Sequence, residues 1–140
     1  MKLTLAALAL AATAHAQSPC SLLSPAQLKS VVNAPLTPKP GPSDCTWRDA
    51  KGQDRIYLSL KDAGPDFHDL RNQMQSSGHM VPLPGLAEDA FYVRSAGSSS
   101  ALYLLKKKRL LLLSVTGPDF DRGQNEAAEK ALAPAILAKL

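Results

Sequence analysis

Two hydrophobic periods alternate along the chain, and the switches between them outline its elements. In SPAQLKSVVN, residues 24–33, Leu28, Val31 and Val32 fall on one helical face. Ser24 is set to cap that helix, Pro25 takes its first position, and Gln27 stands three residues after the cap, a capping-box signature. In RIYLSLKDA the period drops to two: Ile56, Leu58 and Leu60 alternate with Tyr57, Ser59 and Lys61, as in a strand with one buried face. CTWRD precedes it across Ala50-Lys51-Gly52-Gln53, which predicts a hairpin. Further strands are predicted over 89–94, 101–105 and 110–116. The unbroken run Leu110–Leu113 suits a central strand covered on both faces. Helical spacing returns in Phe67, Leu70 and Met74, stopping near Gly78, and again in Ala128, Leu132, Ile136 and Leu140, where Pro134 is expected to kink the helix.

The proline-rich stretches 34–44 and 81–86 read as extended loops, and 95–100 as a Gly/Ser turn. The expected architecture is α+β: about five mostly antiparallel strands in one sheet, with two or three helices packed on one face.

The tetrapeptide GPDF occurs at Gly64–Phe67 and again at Gly117–Phe120, each time after an apolar strand. Glycine and proline end a strand, and Asp66 is placed to cap the helix that follows. For the second copy, Asp121 with Gln124 makes the better cap pair. GPDF therefore reads as a strand-to-helix junction, with an ancient duplication left open.

The N-terminus changes the picture. Lys2, an apolar run from Leu3 to Ala14, and the small-x-small close Ala14-His15-Ala16 form an export leader over residues 1–16, cut between Ala16 and Gln17. That run is shorter than the roughly 20 residues a membrane span needs. Cys20 follows Gln17-Ser18-Pro19 rather than a lipid-attachment motif, so the expected product is a soluble, unlipidated α+β domain over 17–140, in the periplasm or outside the cell. Loss of Lys2 lowers the formal net charge from +4 to +3, well short of a nucleic-acid-binding profile. Two cysteines remain, Cys20 and Cys45; in an oxidising compartment an even pair reads as one disulfide. Closing that loop is worth roughly 3–4 kcal/mol by the chain-entropy argument. The competing reading, two metal ligands, has no C-x-x-C and no nearby histidine to support it.

Candidate chemistry is sparse. There is no G-x-S-x-G, no H-E-x-x-H and no phosphate-binding glycine loop, so the sequence implies no cofactor and no enzyme class. His68 with Asp66, Asp69 and His79 would be an acidic metal or acid–base site, but neighbours on a helix point apart. Lys106, Lys107, Lys108 and Arg109 form a basic hairpin tip with two readings: contact with anionic envelope lipid, or a solvated tip that keeps a leucine-rich hairpin soluble. Trp47, Tyr57 and Tyr92 are candidates for lining a pocket between helices and sheet, or plain core.

CSLLSPAQLKSVV, then CTW, then PLPGLAEDAFYV, an apolar strand and an alanine-rich C-terminal helix together resemble a group of small bacterial secreted proteins and lipoproteins of unknown function. Cys20 and Cys45 match the group's cysteine pair, Trp47 its aromatic, and Gly85-Leu86, Asp89 and Phe91-Tyr92 its turn and strand. Ala87 stands where a second glycine is usual, and the lipid signal of many members is missing. The resemblance implies a small antiparallel α+β domain outside the cytoplasm and no particular activity. The expected function is a non-enzymatic binding module acting on a protein or cell-envelope partner. The alternatives are peripheral envelope association through Lys106–Arg109 and a small-ligand or metal carrier.

Overall fold

The computed structural model of the protein describes residues 17–64 and 67–140. The leader expected over 1–16, cleavage after Ala16, and the capping role of Asp66 fall outside them. A short 3-10 turn, Pro19–Leu22, precedes α1 (Pro25–Val31), β1 (Thr37–Pro40), β2 (Asp44–Arg48), β3 (Asp54–Asp62), α2 (Phe67–Ser76), β4 (Met80–Pro82), β5 (Asp89–Arg94), β6 (Ser100–Lys106), β7 (Arg109–Val115) and α3 (Arg122–Leu137). The strands form one sheet in the order β1-β2-β3-β7-β6-β5-β4, and every neighbouring pair is antiparallel.

The α+β class and the antiparallel sheet are as expected, but the sheet has seven strands rather than five. Both additional strands are edges lying in the stretches read as proline-rich loop. Gly41 donates to the carbonyl of Asp44, so in the β1–β2 ladder Gly41, Lys39 and Thr37 face the partner strand. Pro38 and Pro40 alternate with them and face outward, where no ladder donor is needed. In β4, His79 accepts from Arg94 N–H and Leu83 donates to Ala90, so Pro82 likewise points its nitrogen away from β5. Proline is excluded from a central strand but suits an edge, where it also removes the donor that would invite another chain to pair.

The leucine run Leu110–Leu113 lies in β7, the middle strand; Leu111 and Leu113 are buried on one face and Leu110 on the other. Leu112 on that second face is half-buried, so the expected cover of both faces is complete only at Leu110. Leu111, Leu113 and Val115 join Ile56, Leu58 and Leu60 of β3 and Leu102 and Leu104 of β6 in the main core, under α1 and α3. Leu110 points the other way and joins Phe91 and Phe67 in a smaller core beneath α2, flanked by Leu70, Met80 and Tyr103. Two helices therefore share one face, and α2 occupies the reverse.

The two GPDF copies are not equivalent. Phe67 opens α2 and packs against Phe91, ring centroids 6.4 Å apart, on the reverse face. Phe120 precedes α3 and receives the guanidinium of Arg55 at 5.6 Å. A Cβ on Gly117 would lie 2.6 Å from Arg55 Nη2, whereas one on Gly64 would meet nothing within 4 Å among the described residues. The helices that follow lie on opposite faces of the sheet. A duplication relating the antiparallel neighbours β3 and β7 by a two-fold axis normal to the sheet would leave both on one face. GPDF is thus a local junction used twice.

Candidate functional site: an apolar groove beside the disulfide

The groove begins with local chemistry that the sequence announced. Ser24 Oγ accepts from Gln27 N–H at 3.2 Å, and Gln27 Oε1 accepts from Ser24 N–H at 2.8 Å. This capping box satisfies two of the donors a helix start leaves free. It fixes α1 with Leu28 buried against the main core. Cys20 and Cys45 are bonded, Cα atoms 5.1 Å apart, which ties the 3-10 turn to β2. After α1 the chain returns through Ala34, Pro35 and Leu36 into edge strand β1. It does not close fully over the space between, and a groove of about 700 Å³ remains. Leu28 and Lys29 of α1 form one wall, and Ala34, Pro35, Leu36 and Pro38 the other; Cys20, Leu23 and Trp47 lie deeper. Trp47 is 2% exposed. A volume in this range and a mostly apolar lining with few polar groups are ordinary attributes of a small-molecule site.

Of the three aromatic residues proposed as pocket lining, only Trp47 borders this groove. Tyr57 projects from the opposite sheet face, its hydroxyl 3.4 Å from Asp44 Oδ2. Tyr92 is buried under α3, where its hydroxyl donates to the carbonyl of Glu126 at 3.0 Å; burial first, then Glu129 and Glu126, push its pKa up to about 12. Among the described residues no three His, Cys, Asp or Glu side chains converge on a metal-sized site, and His68, Asp69 and His79 are exposed.

The basic tip is partly committed to the fold. Lys106 Nζ donates to the carbonyl of Leu137 at 2.6 Å and Lys107 Nζ to that of Leu140 at 3.2 Å, so both cations complement the C-terminal end of α3. Arg109 lies 3.9 Å from exposed Asp62. Lys107 and Lys108 form the two-residue turn with φ of 49° and 60°, a left-handed pair that hairpins usually assign to asparagine and glycine.

A second polar cluster went unpredicted. Glu129, on the inner face of α3, is fully buried; its Oε1 accepts from Val115 N–H at 3.0 Å, while Oε2 has no hydrogen-bond partner among the described residues. Burial, reinforced by the charge of Glu126 and opposed by the Val115 bond, pushes its pKa up to about 8. One turn earlier, buried Asn125 donates to the carbonyl of Ser98 but leaves Oδ1 unpartnered. Glu126, beside them, is held below the usual carboxylate range by its two-point pairing with Arg94, at 2.7 and 3.0 Å, and by Ser100. The helical stripe that singled out Ala128, Leu132 and Ile136 also passes through 125 and 129. That signal was present in the sequence, set aside because the residues there are polar.

Among the described residues no helix is long and apolar enough to cross a membrane. Fold and site define an antiparallel α+β protein with a disulfide-braced apolar groove. The chain matches no known family, no curated protein and no solved structure.

Proposed function

We propose that this protein is an exported, non-enzymatic binding module that holds a small apolar ligand in the groove between α1 and β1. The observation that carries the reading is the groove itself: about 700 Å³ walled by Leu28, Leu36 and Pro38, with Trp47 and the Cys20–Cys45 bond behind them. Such surfaces bind by removing apolar area from water, roughly 25 cal/mol per Å². Export is supported by the leader-like N-terminus and by the disulfide, which belongs in an oxidising compartment such as the periplasm or the extracellular space. The likeness to small secreted proteins agrees with that location. Of the earlier alternatives, a ligand carrier is favoured over peripheral lipid contact, because Lys106 and Lys107 are engaged with α3.

Titration with N-phenyl-1-naphthylamine, a neutral apolar fluorophore, tests the reading. Saturable uptake with energy transfer from Trp47, the only tryptophan, is expected. Leu36→Glu, which puts a charge on the groove wall, should weaken uptake at least tenfold with the fold retained. Absence of uptake, or uptake unaffected by Leu36→Glu, refutes the groove as the site.

A further inference from the structure

The groove has one polar end. Lys29 is the only charged residue lining it, and Asn33 the only other polar side chain. Both lie on or just after α1, and both are exposed. The remaining lining is aliphatic, proline, tryptophan and the disulfide. The opposite wall ends in β1, whose outward backbone at Pro38 and Pro40 offers carbonyls and no N–H. That edge rejects two classes of occupant. An extended peptide adding as a further strand needs alternating donors and acceptors, and β1 supplies no donors. An anionic group placed there would face carbonyl oxygens alone. A cationic head is disfavoured at the other end by Lys29.

Resting on the binding reading above, we infer that the occupant is a free single-chain fatty carboxylate, its aliphatic tail along Pro35, Leu36 and Pro38, over buried Leu28 and Trp47, and its head at Lys29. The tail supplies affinity through burial, and the lysine supplies selectivity through a charge-assisted hydrogen bond at the mouth. A lysine suits a mouth, because its aliphatic stem lies along apolar surface while the ammonium stays in water. Its position in the last turn of α1 is also favourable to the helix, so the test reads selectivity rather than stability.

Trp47 fluorescence is titrated at low salt and below micelle-forming concentrations with dodecanoate, decanoate, dodecanol and dodecyltrimethylammonium, on wild type and Lys29→Gln. Vesicles of anionic diacyl lipid form a separate arm. The expected result is saturable binding of dodecanoate, about fivefold tighter than dodecanol and tighter still than the ammonium, as for one partly exposed ion pair. Decanoate should bind roughly tenfold more weakly than dodecanoate, the loss of two buried methylenes. In Lys29→Gln the preference for carboxylate over alcohol should vanish while dodecanol binding stays within about twofold. Added salt should erode the same preference. Equal binding of dodecanoate and dodecanol by wild type overturns the carboxylate assignment and leaves the apolar groove standing. A carboxylate preference that survives Lys29→Gln overturns the role of Lys29, and with it the inference. Response to vesicles but to no single-chain ligand shows a membrane surface to be the target and refutes the inference. No response to any of these, together with none to the neutral fluorophore, removes the groove reading as well.

Discussion

Replacing Glu129 by glutamine should stabilise the protein at neutral pH and remove much of its pH dependence. In the folded state the carboxyl is fully buried, one oxygen has no partner, and its pKa is pushed up from 4.5 to about 8. Below pH about 4.5 the group is protonated in both folded and unfolded chains and contributes nothing. Between about 4.5 and 8 the unfolded chain has released this proton while the folded chain retains it, so stability falls as pH rises. The slope is about 1.4 kcal/mol per pH unit until the folded-state group itself begins to ionise, which gives a penalty of roughly 3 kcal/mol at pH 7 and roughly 4 kcal/mol at pH 8. Glutamine keeps an oxygen for Val115 N–H and cannot ionise. Wild type and Glu129→Gln should therefore agree within about 1 kcal/mol at pH 5. At pH 7 the variant should lead by as much as about 3 kcal/mol, or about 10 °C in Tm for a domain of this size. Urea unfolding of both proteins at pH 5, 6, 7 and 8, at fixed ionic strength, measures the difference directly. Titrating groups that do not interact with Glu129 cancel in the comparison; Glu126, which does, has a lowered pKa that confines its own titration to more acidic solution, and Tyr92 titrates well above this range. Parallel stability curves, or a variant less stable than wild type at pH 8, would refute the claim that Glu129 is a neutral buried acid.

Three further outcomes are expected. Cys20→Ser with Cys45→Ser removes a cross-link spanning 25 residues and should cost about 3 kcal/mol, seen as a Tm lower by roughly 10 °C and matched by wild type under reductant. Lys108→Gly relieves a left-handed conformation at the β6–β7 turn and should raise stability by about 0.5–1 kcal/mol, the conformational relief less the added freedom of glycine; an unchanged or lowered denaturation midpoint contradicts it. Pro38→Thr with Pro40→Thr restores two outward N–H groups along β1, so a concentration-dependent shift to dimers or larger species is expected by size-exclusion chromatography, with no comparable shift in wild type.

The elements that were legible in the sequence are those whose signals are local and unopposed. Ser24 with Gln27 and Asp121 with Gln124 predicted two helix starts, and both capping boxes are formed. The alternation Ile56, Leu58, Leu60 predicted which face of β3 is buried. Proline misled the reading at β1 and β4, because its effect on a strand depends on which way the nitrogen points, and that depends on the neighbouring strand. The candidate site was legible only in fragments. The cysteine pair and Trp47 were identified, yet the wall opposite α1 comes from a stretch read only as extended loop, whose end is edge strand β1. Glu129 was overlooked because hydrophobic periodicity discounts a carboxylate at a core position.

What the sequence determined by itself, then, is whatever a few consecutive residues can decide: caps, the order of helices and central strands, the buried face of β3, and the pairing of the only two cysteines. Hydrogen-bond geometry and side-chain period act over one or two turns or a few strand residues, so these features are written locally. The tertiary structure alone decided that β3 pairs with β7, that α2 and α3 take opposite faces after the same tetrapeptide, that Lys106 and Lys107 serve the end of α3, and that Glu129 loses its water. Each of these depends on residues distant in sequence becoming neighbours. The groove belongs to the second group: it is the space left where α1, the disulfide and a proline-edged strand meet without closing.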